Sequence, residues 1–326
     1  MNKMFTWQSA DHLGIDGLAQ VELPIPEPGN KELLVKVKAA ALNYSDILMI
    51  SDKYQIKPPR PFTPGQEVAG IIIEVGEGSS LNIGRRIASK INWGGFAEYA
   101  IVRNDMVIAI PESIPFTEAV TLPVAYTTAM VALTQTANLQ AGDSVLIHAA
   151  AGGVGLAAVQ IARHIGASIF ATAGSDEKCR LAEEQGADLA INYRHQDWRS
   201  MILDATEGKG VNVILDSVGG DITLESLRCL SWQGELLIVG FSSGEIPEIP
   251  AHRLLLKRAS AKGVYWNHDR NQSMLDTIGC QLVEMYQSYV IRPIKQDHYG
   301  FKDLPQALWD LSNRNSVGKL VVKIGE

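Results

Sequence analysis

Apolar and polar positions follow two different rhythms along the chain. In the first third, Leu33-Leu34-Val35-Lys36-Val37-Lys38-Ala39 alternates between apolar and polar, the period of a half-buried strand. A second apolar run, Val68-Ala69-Gly70-Ile71-Ile72-Ile73-Glu74-Val75, is bounded by Gly65 and Gly76. Phe96 to Arg103 and Val107 to Ile110 continue the pattern until Pro111 closes it. Short strands with this Gly/Pro punctuation predict a small β-barrel. From about Pro123 short apolar strands alternate instead with helical stretches, the punctuation of βαβ units. Strands are predicted at Ser144 to His148, Ser168 to Thr172, Leu189 to Asn192, Val213 to Asp216, Glu235 to Val239 and Ala261 to Val264. The intervening helices are Val154 to His164, Asp176 to Gln185, Trp198 to Thr206 and Thr223 to Leu230. The fold class is therefore α/β, with a doubly wound, six-stranded parallel sheet.

After Tyr265 the rhythm is lost: a long helix, Gln272 to Tyr289, is followed by a second, Lys302 to Leu311, and a last strand, Lys319 to Ile324. About sixty residues with so few apolar positions do not make a core of their own. They are assigned to the first unit, which predicts one domain from 1–122 with 266–326 and another at 123–265.

Composition narrows the partners. The 29 Lys+Arg against 36 Asp+Glu give a net charge of -7, and no basic block tracks a phosphate backbone, so nucleic acid is not an expected partner. No uncharged apolar run approaches the roughly 18 to 20 residues of a membrane span, and Met1 to Trp7 lacks the apolar stretch of a signal peptide. The expectation is no membrane and a cytoplasmic location. The three cysteines, Cys179, Cys229 and Cys280, are too far apart for a disulfide framework or a metal knuckle.

The most informative stretch runs from Ser144 to Arg163, where a predicted strand enters a Gly-rich turn and then an Ala-rich helix. Set on G-x-G-x-x-G, the fingerprint positions are Ala150, Gly152 and Gly155, with alanine in place of the first glycine. Gly152 lets backbone approach a pyrophosphate and Gly155 allows close helix-to-strand packing. The helix that starts near Val154 points free N–H groups at the phosphates, and Gly153 is counted with this turn among the cofactor-binding residues. At the end of the second strand, where an acidic residue would select NAD, stands Ala173, surrounded by Gly174, Ser175 and Lys178. One charge-assisted hydrogen bond from Lys178, worth about 1.5 to 3 kcal/mol, gives a roughly ten- to hundredfold preference for NADPH. The alternative is a solvated Lys178 opposite Asp176 or Glu177.

Together with Ala40-Ala41-Leu42-Asn43-Tyr44-Ser45-Asp46, Pro64-Gly65-Gln66-Glu67-Val68-Ala69-Gly70, Gly94-Gly95-Phe96-Ala97-Glu98-Tyr99, Asp216-Ser217-Val218-Gly219-Gly220 and Gly318-Lys319-Leu320-Val321, this turn resembles the zinc-free, zeta-crystallin-like quinone oxidoreductase branch of the medium-chain dehydrogenase/reductase superfamily. The resemblance covers nearly the whole chain. It implies a GroES-like domain and a Rossmann domain, and it implies no metal. In zinc-dependent relatives a cysteine stands at the position of Asn43 and a histidine at that of Gln66, and neither amide is a good zinc ligand. Thr127 resembles the family's nicotinamide contact, Tyr193 an adenosine-phosphate contact and Phe241 a backbone neighbour of the nicotinamide ribose. Ser217 and Lys319 are assigned to the cofactor as well. Plain alternatives are a strand-capping Tyr193 and a core Phe241.

A pocket without zinc suits acceptors that are already electron-poor, such as quinones and α,β-unsaturated carbonyls. Asn43 is then the expected donor to the substrate oxygen, with Tyr44 or Tyr54 adding a hydroxyl. Against this, Asn43 could be a turn residue bonding its own backbone, and the tyrosines packing residues. The seven histidines, His12 and His148 among them, show no ligand spacing, so structural or surface roles are expected. The expected activity is hydride transfer from NADPH to a quinone or enone. The competing readings are an NADPH-binding protein with little turnover and an enoyl-thioester or alkenal reductase. The resemblance also suggests a homodimer joined edge to edge around Ala261 to Val264.

Overall fold

The strand rhythm of the first third becomes an antiparallel sheet. The computed structural model describes residues 2–325 and divides into two compact units. One runs to Val124 and takes in Gln272–Val283 and the residues from Pro293 on, and the other comprises Ala125–Asn271 and Glu284–Arg292. The first unit opens with β1 (Lys3–Ser9) and β2 (Leu18–Pro24), an antiparallel ribbon. Then come β3 (Glu32–Ala41), the helix α1 (Tyr44–Ile50), β4 (Glu67–Val75), β5 (Arg86–Lys90), β6 (Tyr99–Arg103), β7 (Val107–Ala109) and the short α2 (Phe116–Ala119). Along β3 the predicted alternation is realised: Leu33, Val35 and Val37 enter the core with Ile72, Ile87 and Phe96, while Lys36 is exposed.

The second unit begins with α3 (Thr127–Met130) and then alternates strand with helix. These are β8 (Ser144–Ile147), α4 (Gly153–Ile165), β9 (Ser168–Ala173), α5 (Asp176–Gln185), β10 (Leu189–Asn192), α6 (Trp198–Ala205), β11 (Val211–Asp216), α7 (Gly220–Cys229), β12 (Leu230–Ile238), α8 (Ala251–Lys257) and β13 (Ser260–Gly263). The strands are parallel in the order β10-β9-β8-β11-β12-β13. That is the order of a doubly wound dinucleotide sheet, in which ligands meet the carboxyl ends of the strands. After α9 (His268–Gln287) the chain supplies β14 (Lys295–Gly300), α10 (Leu304–Ser312) and β15 (Lys319–Lys323) to the first unit. Its seven-stranded sheet runs β14-β15-β3-β4-β5-β7, with β6 also on β3.

The units part at Val124 rather than at residue 122, and the return falls at Gln272 rather than at 266, beside the non-helical Asn271 (φ -124°, ψ 21°) that breaks α9. The expectation that no segment is long and apolar enough to cross a membrane needs correction. Among the described residues one helical stretch, Phe116–Thr136, is long enough, and an 18-residue window within it has a mean hydropathy of 1.3 and is 72% buried inside the protein. It contains two π-helical segments, Leu122–Tyr126 and Val131–Thr136, on either side of α3.

Candidate functional site

β8 ends at Ile147, and the turn that follows places Ala149 at φ 50°, a left-handed conformation uncommon outside glycine. Gly152 then caps α4 in an extended conformation with no side-chain hydrogen bond. The first N–H groups of this 13-residue helix, those of Gly153, Val154 and Gly155, therefore have no side-chain cap and are available to an anion. A Cβ on Gly155 would lie 2.7 Å from the Ala150 Cα and closer still to the Ala149 carbonyl, so only glycine lets the helix sit on its own turn. Ala150 is fully buried, and its N–H donates to the Thr172 carbonyl at 3.0 Å, tying the turn to β9.

Beneath the turn lies His148, whose structural expectation is met in a particular form. It is buried, 2.8 Å from the Thr172 hydroxyl through Nδ1 and 2.8 Å from the Ser226 hydroxyl through Nε2. Ser226 spends its proton on the Ile222 carbonyl at 2.6 Å, so its oxygen must accept from His148. The ring is thus the Nε2–H tautomer, with Nδ1 accepting from Thr172. Burial holds its pKa down at about 4, partly opposed by Asp216, and the ring is neutral at physiological pH. Asp216 accepts from the Val218 and Gly219 N–H groups at 2.8 and 3.1 Å and from the Thr223 hydroxyl, which fixes the turn carrying Ser217.

At the end of β9, Ala173 is buried and Gly174 follows. A Cβ on Gly174 would stand 2.8 Å from the Tyr193 hydroxyl and 3.7 Å from Arg194 Nε, so both side chains from the end of β10 reach over this glycine. Ser175 caps α5 by accepting the Lys178 N–H at 3.3 Å, which leaves its own O–H free to donate. Asp176, weighed above as a partner for Lys178, accepts the Asn192 side-chain amide at 2.7 Å. Tyr193 thus stands over Gly174 with Arg194, an exposed cation that the sequence motifs did not single out, while the half-buried Ser175 and Lys178 follow Gly174 in the chain. The signal for Arg194 was available: it directly follows Tyr193 at the end of a strand. Ser217 and Phe241 follow the adjacent strands β11 and β12, where the Ser217 carbonyl accepts the Ser242 N–H at 3.1 Å. Phe241 also fits against Gly219, where a Cβ would meet its ring at 2.9 Å. Thr127 is buried at the start of α3.

The remaining candidates gather in the first unit. Asn43 caps α1: its N–H donates to Asp46 Oδ2 at 2.8 Å, and its carbonyl accepts the Asp46 N–H at 3.0 Å. Its side chain faces Glu67 and Lys319. The Lys319 ammonium donates to Asn43 Oδ1 at 2.5 Å and pairs with Glu67 Oε2 at 2.9 Å, while Asn43 Nδ2 donates to the same carboxylate at 3.2 Å. Glu67 Oε1 accepts the Val124 N–H at 2.7 Å. Both members of the ion pair are buried, Lys319 at 6% exposure and Glu67 at 0%. Lys319, expected at the cofactor, thus lies with the candidate catalytic residue Asn43. Tyr44 and Tyr54 are partly buried and pack against the core of this unit.

Asp46 is fully buried, and its Oδ1 has no hydrogen bond of ordinary geometry. Burial pushes its pKa up to about 7, against the lowering effect of the Asn43 N–H and Lys319; Glu67 adds to the rise and the Gln66 backbone opposes it. Gln66 is buried, with its carbonyl oxygen accepting from the Ser45 hydroxyl.

This donor set does not fit zinc. The amide oxygens of Asn43 and Gln66 are occupied by an ammonium and a hydroxyl, and both Glu67 oxygens are engaged. Among the described residues no three His, Cys, Asp or Glu side chains are grouped to hold a metal. The dinucleotide residues do fit a nicotinamide cofactor: the uncapped helix start and the close approach permitted at Gly155 match its pyrophosphate.

Quinone oxidoreductase-like protein 2 of Rattus norvegicus is 36% identical over 304 residues, 92% of this chain and 87% of that one. The chain belongs to the quinone oxidoreductase branch of the medium-chain dehydrogenase/reductase superfamily. The quinone oxidoreductase of Sus scrofa is 34% identical over 93% of this chain and 92% of its own. Residues 29–112 match the alcohol dehydrogenase GroES-like domain and residues 153–279 the zinc-binding dehydrogenase domain. The crystal structure of Escherichia coli quinone oxidoreductase complexed with NADPH superimposes with a TM-score of 0.91 at 29% identity, covering 99% of this chain and 100% of that one. The fold is thus a GroES-like unit plus a Rossmann unit, and the chain is an NAD(P)-dependent oxidoreductase.

Proposed function

We propose that this oxidoreductase takes NADPH and, without zinc, reduces a quinone or another electron-poor enone. The observation that carries the reading is the chemistry at Asn43, Gln66, Glu67 and Lys319: a place suited to an ammonium and unsuited to a Lewis acid. A simple alcohol or ketone gets no Lewis-acid activation there, so the acceptor must bring most of its own electron deficiency. Bound NADPH supplies the hydride. Gly153 to Gly155 present N–H groups to its pyrophosphate, and Gly174 with Ser175, Lys178, Tyr193 and Arg194 favours a 2'-phosphate over a bare ribose hydroxyl. The names of the relatives in pig and rat, and the bound NADPH of the Escherichia coli enzyme, support the same reading.

The test is steady-state oxidation of NADPH and of NADH with 1,4-benzoquinone, 9,10-phenanthrenequinone and an enal, on protein assayed for zinc and treated with a chelator. Turnover with NADPH on quinones, at least tenfold above NADH and indifferent to chelation, is the expected result. NADPH binding without turnover on any acceptor would favour a non-catalytic NADPH-binding protein. We also propose a homodimer joined through β13. It is the last strand of its sheet, its outer edge pairs with no strand among the described residues, and Tyr265, Leu255 and Leu256 are exposed close by in sequence.

A further inference from the structure

The ladder between β15 and β3 explains why Lys319 meets Asn43. Val321 pairs with Ala41, Val322 with Ala40 and Lys323 with Ala39, and the Leu42 N–H donates to the Leu320 carbonyl at 2.9 Å. Continued by two residues, the register sets Lys319 opposite Asn43. Gly318 turns the chain into this ladder at φ 68°, and the Lys319 N–H is held by the Ile294 carbonyl at 2.9 Å. Backbone placement thus forces a long cationic side chain inward, where it is 6% exposed.

An ammonium can only donate, so the short contact to Asn43 fixes that amide with its oxygen toward Lys319 and its nitrogen toward Glu67. The amide hydrogens are directed to Glu67 at 3.2 Å and to the Ala41 carbonyl at 3.5 Å. Asn43 is therefore poorly placed as the donor to a substrate oxygen. Lys319 has three N–H bonds and two acceptors, Asn43 Oδ1 and Glu67 Oε2; the third N–H has no protein acceptor among the described residues. A buried charged donor with a hydrogen to spare is costly to keep unless something uses it.

We propose that the Lys319 ammonium stands in for the divalent metal of zinc-dependent relatives and donates its third hydrogen to the acceptor oxygen; the proposal rests on the hydride-transfer reading above. Glu67 and Asn43 are its positioning residues. As the reduced nicotinamide gives up a hydride, a new C–H or O–H bond forms on the quinone or enone. The electron pair displaced from the conjugated system settles on the acceptor oxygen, and the nicotinamide becomes oxidised. That oxyanion accepts the hydrogen bond from Lys319, and a water O–H then breaks to deliver the proton that completes the product, with hydroxide released to the bulk solvent. One ammonium contributes a single charge and no coordination, which suits acceptors that need stabilisation of a developing anion rather than activation of an alcohol.

Lys319→Met strands the buried Glu67 charge, so the decisive variant is the double replacement Glu67→Gln with Lys319→Met, which swaps the ion pair for neutral groups of similar size. The expected result is a 10²- to 10³-fold fall in kcat with NADPH affinity, read by nucleotide fluorescence, within threefold of the parent. The fall should be steeper for an enal than for 1,4-benzoquinone, because the less electron-poor acceptor leans harder on the donor. A kcat within threefold of the parent overturns the proposal. A loss confined to NADPH affinity also overturns it and returns Lys319 to the cofactor. A second measurement is independent of turnover: 4-nitrophenolate, an oxyanion with a visible absorbance, is titrated into the parent and the double variant. Tighter binding to the parent by tenfold or more supports Lys319 as the oxyanion donor, and equal binding refutes it. If the parent reduces no acceptor at all, the functional reading fails while this second test still decides the role of Lys319.

Discussion

Replacing Asp46 with asparagine should make the protein less sensitive to alkali. In the folded chain burial raises the pKa of this carboxyl from 3.8 to about 7, outweighing the lowering effects of the Asn43 N–H, Lys319 and the Gln66 backbone. A folded-state pKa above the unfolded one means that the native chain holds the proton more tightly. The associated stability is present in full below pH ~4 and is lost as pH rises through ~7. A rise of about three units at about 1.4 kcal/mol each amounts to roughly 4 kcal/mol, of which about 3 kcal/mol is lost between pH 5 and pH 8. Asparagine keeps an oxygen for the Asn43 N–H and carries no charge to desolvate. Urea midpoints and thermal midpoints of the parent and of Asp46→Asn, measured from pH 5 to pH 8, are the assay. The parent should lose stability across this range by a few kcal/mol more than the variant, and the variant should be the more stable at pH 8. Parallel curves would refute the assignment of a buried, proton-holding carboxyl.

Three further outcomes follow from the second unit. Gly155→Val should abolish nucleotide binding by isothermal titration, since its side chain has no room beside Ala149 and Ala150; retained affinity would show that α4 is not the phosphate-binding helix. Arg194→Ala should raise KM for NADPH about tenfold, in line with roughly 1.5 kcal/mol for an exposed charge-assisted contact. KM for NADH should stay unchanged, and steady-state kinetics with both nucleotides checks the pair. In ¹⁵N-¹H spectra, His148 should keep the chemical shifts of a neutral Nε2–H ring down to about pH 5; a charged ring at pH 6 would contradict its buried relay between Thr172 and Ser226.

The second unit was legible because its signals are local. Each strand is a short apolar run, each helix has its own stop, and the Gly-rich turn lies between neighbours in sequence; α5 and β10 emerge with the predicted bounds. The first unit was legible where alternation is strong, as along β3, or where an apolar run is bounded by glycines, as along β4. The ribbon of β1 and β2, strand β5 and helix α1 were not anticipated. Alpha-helical periodicity also fails for Phe116–Thr136, which is buried over most of its length and so has no polar face to reveal it. The candidate site divides in the same way. Ala150 to Gly155, Gly174, Ser175 and Tyr193 could be named from strand ends. The geometry that makes Lys319 a partner of Asn43 and Glu67 is a property of sheet register, which residue spacing does not contain.

That register also orders events in time. Asn43 and Lys319 touch across 276 positions of sequence. A nascent polypeptide leaving the ribosome can therefore complete every strand of the nucleotide-binding sheet well before β15 is synthesised. Until then Glu67 is a buried-to-be anion without its counterion, so the ion pair with Lys319 is among the last contacts that biogenesis completes.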